Sequence, residues 1–331
     1  MDESGAWEHK NMKLLITGGA GFIGSNFILH MMNLHPEVEI INLDLLTYAG
    51  NLNNLKGIEK NARYTFIKGD ICEPDRVNAI LKKHSVDAIV HFAAESHVDR
   101  SITRASEFVR TNVLGTQNLL ECARHHPVSR FIHISTDEVY GSRLKGSFKE
   151  SDILSPSSPY SASKAGSDLL ALSYFTTYKL PVIITRCTNN FGPFQYPEKL
   201  IPLFITNLIT GSKVPVYGTG KNVRDWIHVQ DHCRAVDFLL KKGSFGEIYN
   251  IGGGNEKTNI EITEKILKLL KKDESSIEYV PDRPGHDFRY SLDCSKLRKM
   301  GWKPHYSFEV GLTDTVEWYI RNEGWWRPLR K

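Results

Sequence analysis

A short part of the chain carries five side chains that can exchange protons or hydrogen bonds with a substrate. Thr136, Asp137 and Glu138 are consecutive, and Tyr160 and Lys164 follow further along, four residues apart. Residues four apart on a helix share one face, so the phenol and the ammonium are expected to act together. An alcohol, two carboxyls, a phenol and an ammonium in one cleft suit a reaction that removes a hydride and a proton and expels a hydroxyl group.

The segment before the two carboxyls is typical of a buried strand. Arg130–Ser135 is largely apolar, which predicts a strand with Thr136, Asp137 and Glu138 at its carboxyl end. Ligands bind beyond the carboxyl ends of strands in an open α/β sheet. A solvated turn is the alternative reading of Asp137 and Glu138, but the apolar strand directly before them favours a site.

A glycine-rich turn near the N-terminus predicts a nucleotide site. Lys13–Thr17 predicts a strand and Phe22–Leu34 a helix, and Gly18, Gly21 and Gly24 lie three residues apart around the junction. Glycine permits a tight turn and lets backbone N–H groups approach a pyrophosphate at the helix N-terminus. A turn without a ligand is the alternative, but the strand–turn–helix context favours dinucleotide binding.

An acid at the end of the second predicted strand indicates which dinucleotide binds. Glu39–Leu43 predicts that strand, and Asp44 follows it, 20 residues after Gly24. A carboxylate there binds the ribose hydroxyls of NAD and repels the 2′-phosphate of NADP. Leu45 offers no positive charge to that phosphate. NAD is therefore the expected cofactor.

Strand and helix patterns alternate through the first half of the chain. Further strands are predicted at Tyr64–Lys68, Asp87–Phe92 and Pro181–Arg186, and helices at Asp75–His84, Phe108–His125 and Tyr160–Tyr178. This alternation predicts an α/β fold, a Rossmann-type doubly wound parallel sheet.

A change of pattern near residue 188 predicts two parts. Residues 1–188 are expected to bind NAD, with the first eleven residues disordered. Residues 189–331 are expected to form a smaller mixed α/β lobe that binds the substrate. Residues 222–253, which include the apolar segment Arg224–Val229, are expected to return to the sheet.

The composition excludes several classes of protein. The net charge is +4 and the basic residues are dispersed, which argues against a nucleic-acid partner. No apolar run is long enough to span a bilayer, and the N-terminus lacks a signal-peptide core. The five cysteines are widely spaced and odd in number, which favours reduced thiols and a cytoplasmic location. No Cys/His cluster has metal-site spacing, so no metal is expected.

Together these motifs resemble those of the extended short-chain dehydrogenases/reductases, and within them the dTDP-glucose 4,6-dehydratases of deoxysugar biosynthesis. The glycine motif and the Tyr160/Lys164 pair are shared across that family, whereas Asp137 between a hydroxyl and a Glu is more restricted. The segments A-A-E-S-H-V-D-R-S, N-N-F-G-P, P-E-K-L-I-P and D-R-P-G-H-D also match. The departures, at Leu45, Phe191 and Phe288, are expected to alter affinity and not the type of reaction.

The resemblance implies dehydration of dTDP-glucose to dTDP-4-keto-6-deoxyglucose with tightly held NAD. It implies that Tyr160 removes the proton of the C4 hydroxyl, while Lys164 and the positive charge of NAD stabilise the phenolate. Lys164 is also implied to hold the nicotinamide ribose. Glu138 is then the base at C5, protonated Asp137 the acid at the C6 hydroxyl, and Thr136 a hydrogen-bond donor to O4.

The resemblance also implies the binding residues and a homodimer. The residues implied to contact NAD are Gly18, Gly21, Phe22, Ile23, Gly24, Asp44, Leu45, Thr47, Asp70, Ile71, Ala93, Ala94, Thr111, Tyr160, Lys164 and Asn190. Those implied to contact the nucleotide sugar are Ser96, Thr136, Asn189, Lys199, Leu200, Pro215, Tyr217, Arg224, Asn259, Asp282, Arg283 and His286. Arg224 is expected to clamp the diphosphate, with a salt bridge to Asp225 as the alternative. Dimerisation through the two long helices, Phe108–His125 and Tyr160–Tyr178, is expected by fold-level analogy.

Other functions remain open on sequence grounds. A nucleotide-sugar 4-epimerase or decarboxylase would use the same Tyr and the same hydride step, and a UDP-sugar 4,6-dehydratase would differ only in its nucleotide. An NAD-sensing regulator on the same fold would need no catalytic groups. Asp137 discriminates among the reactions, because neither epimerisation nor decarboxylation needs an acid at C6.

Overall fold

The computed structural model describes residues 12–282 and 285–330. The expectations for residues 1–11 and for Arg283 therefore lie outside the described residues. The strands are β1 (Lys13–Thr17), β2 (Glu39–Asp44), β3 (Tyr64–Lys68), β4 (Ala88–His91), β5 (Arg130–Thr136), β6 (Val182–Cys187), β7 (Asn189–Phe191), β8 (Val214–Tyr217), β9 (Val223–His228), β10 (Ile248–Ile251), β11 (Glu256–Thr258) and β12 (Ile277–Val280).

Helices alternate with these strands. They are α1 (Phe22–Leu34), α2 (Pro74–His84), α3 (Val98–Thr103), α4 (Ala105–Phe108), α5 (Thr116–His125), α6 (Pro159–Tyr178), α7 (Leu200–Ile209), α8 (Val229–Lys242), α9 (Asn259–Leu269), α10 (Ser295–Lys299), α11 (Phe308–Arg321) and α12 (Glu323–Trp326). Within the described part of the chain, none of them combines the length and apolarity needed to cross a lipid bilayer.

Seven strands form the central sheet, in the order β10–β6–β5–β4–β1–β2–β3, and their pairings are parallel. Alternate side chains point to opposite faces. Leu14 and Ile16 pack with α1 and α8 on one face, while Leu15 packs with α2, α5 and α6 on the other. Helices cover both faces, so the predicted Rossmann-type doubly wound sheet is confirmed.

The smaller lobe contains two short sheets of its own. Strand β9 lies between β11 and β7, and β12 pairs with β8. The prediction that Arg224–Val229 returns to the central sheet is wrong, because β10 occupies that edge, with Ile248 opposite Ile184 of β6. A strand edge accepts one partner, so β9 pairs with β7 instead. A separate apolar core, which includes Phe204, Ile262 and Leu312, fills this lobe.

The predicted helix Phe108–His125 is broken in the structure. Helix α4 ends at Phe108, a π-helical segment covers Val109–Gly115, and α5 begins at Thr116. Such π segments are frequent at functional sites. Here Asn112, within the segment, donates to the Glu95 carbonyl at 3.0 Å and accepts from the Glu95 N–H at 2.9 Å. The π segment thereby fixes the loop that follows β4.

Candidate active site

A pocket runs along the carboxyl ends of the central strands. Its lining includes every residue that the motifs implied for NAD: Gly18, Gly21, Phe22, Ile23, Gly24, Asp44, Leu45, Thr47, Asp70, Ile71, Ala93, Ala94, Thr111, Tyr160, Lys164 and Asn190. The proposed catalytic residues Thr136, Asp137 and Glu138 line the same pocket. The fold thus brings the glycine turn and the catalytic segment, far apart in sequence, into one cleft.

Two glycines of the turn leave no room for a side chain. Gly18 has a φ of +70°, and a Cβ there would lie 2.6 Å from the backbone N of Ala93. A Cβ on Gly24 would lie 2.3 Å from the carbonyl oxygen of Gly18. This close packing brings the N-terminus of α1 against the pocket, where its unpaired N–H groups can bind an anion.

Asp44 lies where β2 ends at the pocket. Its Oδ2 accepts a hydrogen bond from Ala20 N at 2.9 Å, and its Oδ1 accepts one from Leu46 N at 2.8 Å. Burial raises the pKa of this carboxyl, while the two N–H donors oppose that rise. Asp44 therefore ties the glycine turn to the end of β2 and presents an acid to the ribose region of a dinucleotide.

Helix α6 positions Tyr160 and Lys164. Ser158 begins the helix with a capping box to Ser161, and Pro159 occupies its first turn. Lys164 is buried, with an exposed fraction of 4%, and its Nζ donates to the Ile134 carbonyl at 2.7 Å. This contact anchors the ammonium at the end of β5, where the catalytic segment starts.

The protein surroundings favour a protonated phenol and a less basic lysine. Burial raises the pKa of Tyr160 well above its ordinary value, and the Glu138 charge adds to that rise. Burial lowers the pKa of Lys164 to about 8. The sequence analysis expected Lys164 and the NAD positive charge to lower the pKa of the phenol together. The protein groups around Tyr160 raise that pKa overall, so the expected lowering would have to come from a positive charge bound in the pocket.

The two neighbouring carboxyls lie in different environments. Asp137 has an exposed fraction of 3%, and its Oδ1 accepts a hydrogen bond from Thr136 Oγ1 at 3.2 Å. Burial, followed by the charge of Glu138, raises the pKa of Asp137 well above its usual range. Glu138 is only half-buried. Burial therefore disfavours the ionised form of Asp137 next to a more exposed carboxyl, as expected for an acid and base pair.

The residues implied for the nucleotide sugar divide into two groups. Ser96, Thr136, Asn189 and Lys199 line the pocket, and Lys199 Nζ donates to the Ser96 carbonyl at 2.9 Å. The remaining described residues of the set do not line this pocket: Leu200, Pro215, Tyr217, Arg224, Asn259, Asp282 and His286.

Part of the second group clusters in the smaller lobe. Pro215 and Tyr217 lie on β8, which pairs with β12. The Tyr217 ring lies 6.2 Å from that of His286, and His286 Nδ1 lies 2.6 Å from Asp282 Oδ1. Asn259 is buried at the start of α9, and no described group hydrogen-bonds its side-chain oxygen.

Arg224 binds backbone carbonyls of the described chain. Its guanidinium donates to the carbonyls of Val223 at 2.8 Å, Asp287 at 2.9 Å and Phe288 at 3.3 Å. The alternative reading, a salt bridge to Asp225, is wrong: that carboxylate accepts N–H donors from Gly254 and Asn255. Consecutive residues of a strand point to opposite faces, which separates the two charges.

Several lining residues were not predicted. They come from loops: Tyr48, Glu95, Thr188, Gln195, Tyr196 and Glu198. The only available sequence signal was their position beside implied residues, such as Tyr48 after Thr47 and Glu198 before Lys199. Loop side chains follow no period, so their direction could not be inferred.

The chain is similar to known proteins in sequence and in fold. The family model for GDP-mannose 4,6 dehydratase matches residues 15–315. A dTDP-glucose 4,6-dehydratase of Streptomyces niveus is 53% identical, with 96% of each chain covered. The crystal structure of a dTDP-glucose 4,6-dehydratase from Streptomyces venezuelae with NAD and TYD bound is 56% identical. It has a TM-score of 0.94 and covers 96% of this chain and 100% of that one. A UDP-glucose 4-epimerase from Thermotoga maritima with UDP-glucose is 30% identical, with a TM-score of 0.88, and covers 94% of this chain and 100% of its own.

Proposed function

The chain belongs to the GDP-mannose 4,6 dehydratase family, and from that premise we propose that it converts dTDP-glucose to dTDP-4-keto-6-deoxyglucose with bound NAD. The family resemblance predicted from the motifs is confirmed. The observation that carries the proposal is the buried Asp137 carboxyl beside the half-buried Glu138, where burial raises the pKa of Asp137. Loss of water from C6 needs such an acid, whereas epimerisation at C4 does not.

The pocket fits NAD. Gly18 and Gly24 pack against neighbouring backbone with no room for a side chain, which brings the N-terminus of α1 to the pocket, where it would bind the pyrophosphate. Asp44, at the end of β2, would bind the adenine ribose. The chemistry that bound NAD supplies is removal of a hydride from C4 of the sugar and its return to C6. Lys164 holds the nicotinamide ribose in this proposal, beside Tyr160.

Tyr160 acts first among the chain's own residues. Its phenolate takes the proton of the C4 hydroxyl as the hydride leaves, and Thr136, which hydrogen-bonds the phenol, orients O4. The Lys164 ammonium stabilises the phenolate by its charge. The resulting ketone at C4 acidifies the neighbouring C5 proton.

The carboxyl pair then carries out the elimination. Glu138 takes the C5 proton, and Asp137 gives its proton to the C6 hydroxyl, which leaves as water. Their unequal surroundings favour this division of roles, because two adjacent carboxyls do not readily ionise together. Glu138 returns its proton to C5 as the hydride returns to C6. The proton that Tyr160 took from O4 then passes through solvent to Asp137, which restores all three residues to their starting states.

The nucleotide end of the substrate extends toward the smaller lobe. In this proposal Ser96, Asn189 and Lys199 bind near the sugar and diphosphate, and the cluster around Tyr217 and His286 receives the thymidine. The remaining implied contacts keep their proposed roles: Leu200, Pro215, Asn259, Asp282 and Arg283. Arg224 holds residues 287–288 in place, and its remaining N–H groups are donors for the diphosphate.

The protein is proposed to work as a homodimer. The π segment and α6 pack against each other and carry exposed apolar residues. Val109 is 53% exposed, Leu114 51%, Leu169 59% and Tyr178 51%. An exposed apolar patch of this kind is typical of an interface. Sedimentation should therefore give twice the mass of one chain, and Leu169→Glu should reduce it to that of a monomer.

The proposed division of the chain, at about residue 188, is supported by its separate cores. The lobe core draws its buried residues from Phe191 onward. One sheet core, however, also contains Ile227 and Ile251, which fits an interleaved second part. A cytoplasmic location is proposed as well, because the five cysteines are free thiols, the usual state in that compartment.

One experiment tests the function. The purified protein is incubated with dTDP-glucose, with UDP-glucose or with a UDP-linked uronic acid, and the products are identified by mass spectrometry and nuclear magnetic resonance. We expect loss of water and a 4-keto-6-deoxy sugar, faster with dTDP-glucose. An epimerised product of unchanged mass would support the 4-epimerase. Loss of carbon dioxide from a uronic acid would support the decarboxylase, and absence of any turnover would support a regulator.

A further inference from the structure

A buried charge network lies one helical turn beyond Lys164 in α6. Asp168 has an exposed fraction of 0%, and its Oδ2 accepts a hydrogen bond from Arg186 Nε at 2.8 Å. Its Oδ1 lies 3.3 Å from His133 Nε2. Arg186 is buried too and donates to Tyr140 Oη at 2.8 Å. Neither Asp168 nor Arg186 lines the pocket, so the reaction proposed above leaves this ion pair without a role.

The network approaches Lys164 along β5. Lys164 Nζ rests on the carbonyl of Ile134, and the preceding residue of the strand, His133, places its Nε2 3.3 Å from the Asp168 carboxylate. Lys164 and Asp168 are four residues apart on one helix, so their Cβ atoms lie about 5–6 Å apart on the same face. The Lys164 ammonium, at Ile134, and the Asp168 carboxylate, at His133, therefore lie beside neighbouring residues of β5.

Asp168 is a negative charge that acts on Lys164 from within the fold. Burial lowers the pKa of Lys164, and the Asp168 carboxylate opposes that change. Burial acts to raise the pKa of Asp168 itself, but the His133 hydrogen bond and the Arg186 charge lower it overall. Burial also lowers the pKa of His133, to about 4, which leaves that ring neutral. The other titratable groups on the surrounding elements are His91, Asp137, Glu138, Tyr160 and Cys187.

We propose that Asp168 is a positioning residue that keeps Lys164 protonated during catalysis. It thereby maintains the positive charge that stabilises the Tyr160 phenolate, without touching substrate or cofactor. Arg186 limits this effect because it neutralises part of the Asp168 charge. The inference rests on the proposed function, since it concerns a lysine whose charge that reaction needs.

The test is the pH dependence of turnover in the NAD-loaded protein. Lys164 acts in its protonated form, so the rate falls as pH rises through its pKa. Asp168→Asn removes the opposing carboxylate, and the alkaline fall should move to lower pH by roughly 1 unit. Arg186→Gln leaves the Asp168 charge uncompensated and should move the fall to higher pH. General loosening of the fold would not produce shifts of opposite sign.

A control and a second readout complete the experiment. Tyr140→Phe removes a hydroxyl from the far side of Arg186 and should leave the position of the alkaline fall unchanged. Nuclear magnetic resonance titration of isotope-labelled lysines, with Lys164 assigned from a Lys164→Arg variant, reports its pKa without turnover. If Asp168→Asn does not fold, the Arg186→Gln variant still tests the proposal, which requires the pKa of Lys164 to be higher in that variant than in the wild-type protein.

The outcomes separate the inference from the proposed function. An active wild-type protein whose Lys164 pKa is the same in every variant overturns the role of Asp168 alone. A pKa that shifts as expected in a protein with no dehydratase activity supports the coupling and overturns the proposed function.

Discussion

Arg100 and Glu198 form an ion pair, with 2.9 Å between Nη2 and Oε2, that joins helix α3 to the loop before α7. The Arg100 guanidinium also lies 3.6 Å from the centre of the Tyr48 ring, which meets the Tyr196 ring edge-on at 5.6 Å. Tyr48, Tyr196 and Glu198 all line the pocket. The pair therefore connects the cofactor half of the pocket wall to the substrate half.

Breaking this connection should loosen the cofactor. Glu198→Gln removes a charge-assisted hydrogen bond worth about 1.5 kcal/mol, so NAD should dissociate about tenfold faster. The rate can be followed by NAD lost during repeated desalting. Glu309→Gln, which breaks an exposed pair with Lys265 in the smaller lobe, is the matched control. Equal NAD retention in both variants would mean that the Arg100–Glu198 pair does not hold the pocket closed.

Gly24→Ala should abolish cofactor binding. The added methyl group would lie 2.3 Å from the Gly18 carbonyl oxygen, so the turn would have to open and move the helix N-terminus. Gly57→Ala adds the same group where nothing lies within 4 Å, and that variant should retain NAD. The nucleotide content of the two purified proteins checks the prediction, and a fully loaded Gly24→Ala protein would contradict it.

Asp44 should make the protein select NAD over NADP. Like charges about 4 Å apart repel by about 4 kcal/mol near a protein surface, so the preference should exceed roughly tenfold. Asp44→Asn should reduce it, while Asp75→Asn, at an exposed acid of α2, should not. Denaturing the protein and identifying the released nucleotide, followed by competition binding, measures the preference. Release of NADP from the wild-type protein would show that Asp44 is not the selecting residue.

Tyr160→Phe should stop oxidation of the sugar while leaving NAD and substrate bound. The phenol is the group proposed to take the C4 proton, and a positioned base contributes about a hundredfold or more. Tyr178→Phe removes a phenol from the end of the same helix and serves as the control. Stopped-flow absorbance of NADH measures the step, and oxidation near the wild-type rate would remove Tyr160 from the role of base.

Asp137→Asn should separate oxidation from water loss. The amide keeps the shape of the side chain but cannot protonate the C6 hydroxyl, so elimination should slow by roughly a hundredfold to ten-thousandfold. Enzyme-bound NADH should then accumulate, visible in the near-ultraviolet, while product forms slowly. Exchange of the C5 proton should persist in some measure.

Glu138→Gln is the matched variant for this prediction. It should also accumulate NADH, but without exchange of the C5 proton, because the proposed base is absent. If Asp137→Asn slowed NADH formation as much as product formation, Asp137 would be a substrate-positioning group and not the acid.

The sequence alone determined the features that depend on short-range spacing. Gly18 and Gly24 flank one strand–helix turn, and Tyr160 and Lys164 share one helix face, so their geometry follows from a single local period. Short apolar runs likewise indicated which strands are buried, and hence where Asp44 and the acid pair emerge at the sheet edge.

The tertiary structure decided what depends on contacts between distant segments. Strand β9 joins the smaller lobe because β10 already occupies the sheet edge, and apolar periodicity does not reveal which edge is free. Arg224 binds loop carbonyls, a choice set by the neighbours on its face of the strand. Asp168 meets Arg186, and Arg100 meets Glu198, only because the chain folds back on itself. An ion pair between residues far apart in sequence leaves no local sequence pattern, because the packing of the folded chain decides which charged side chains come together.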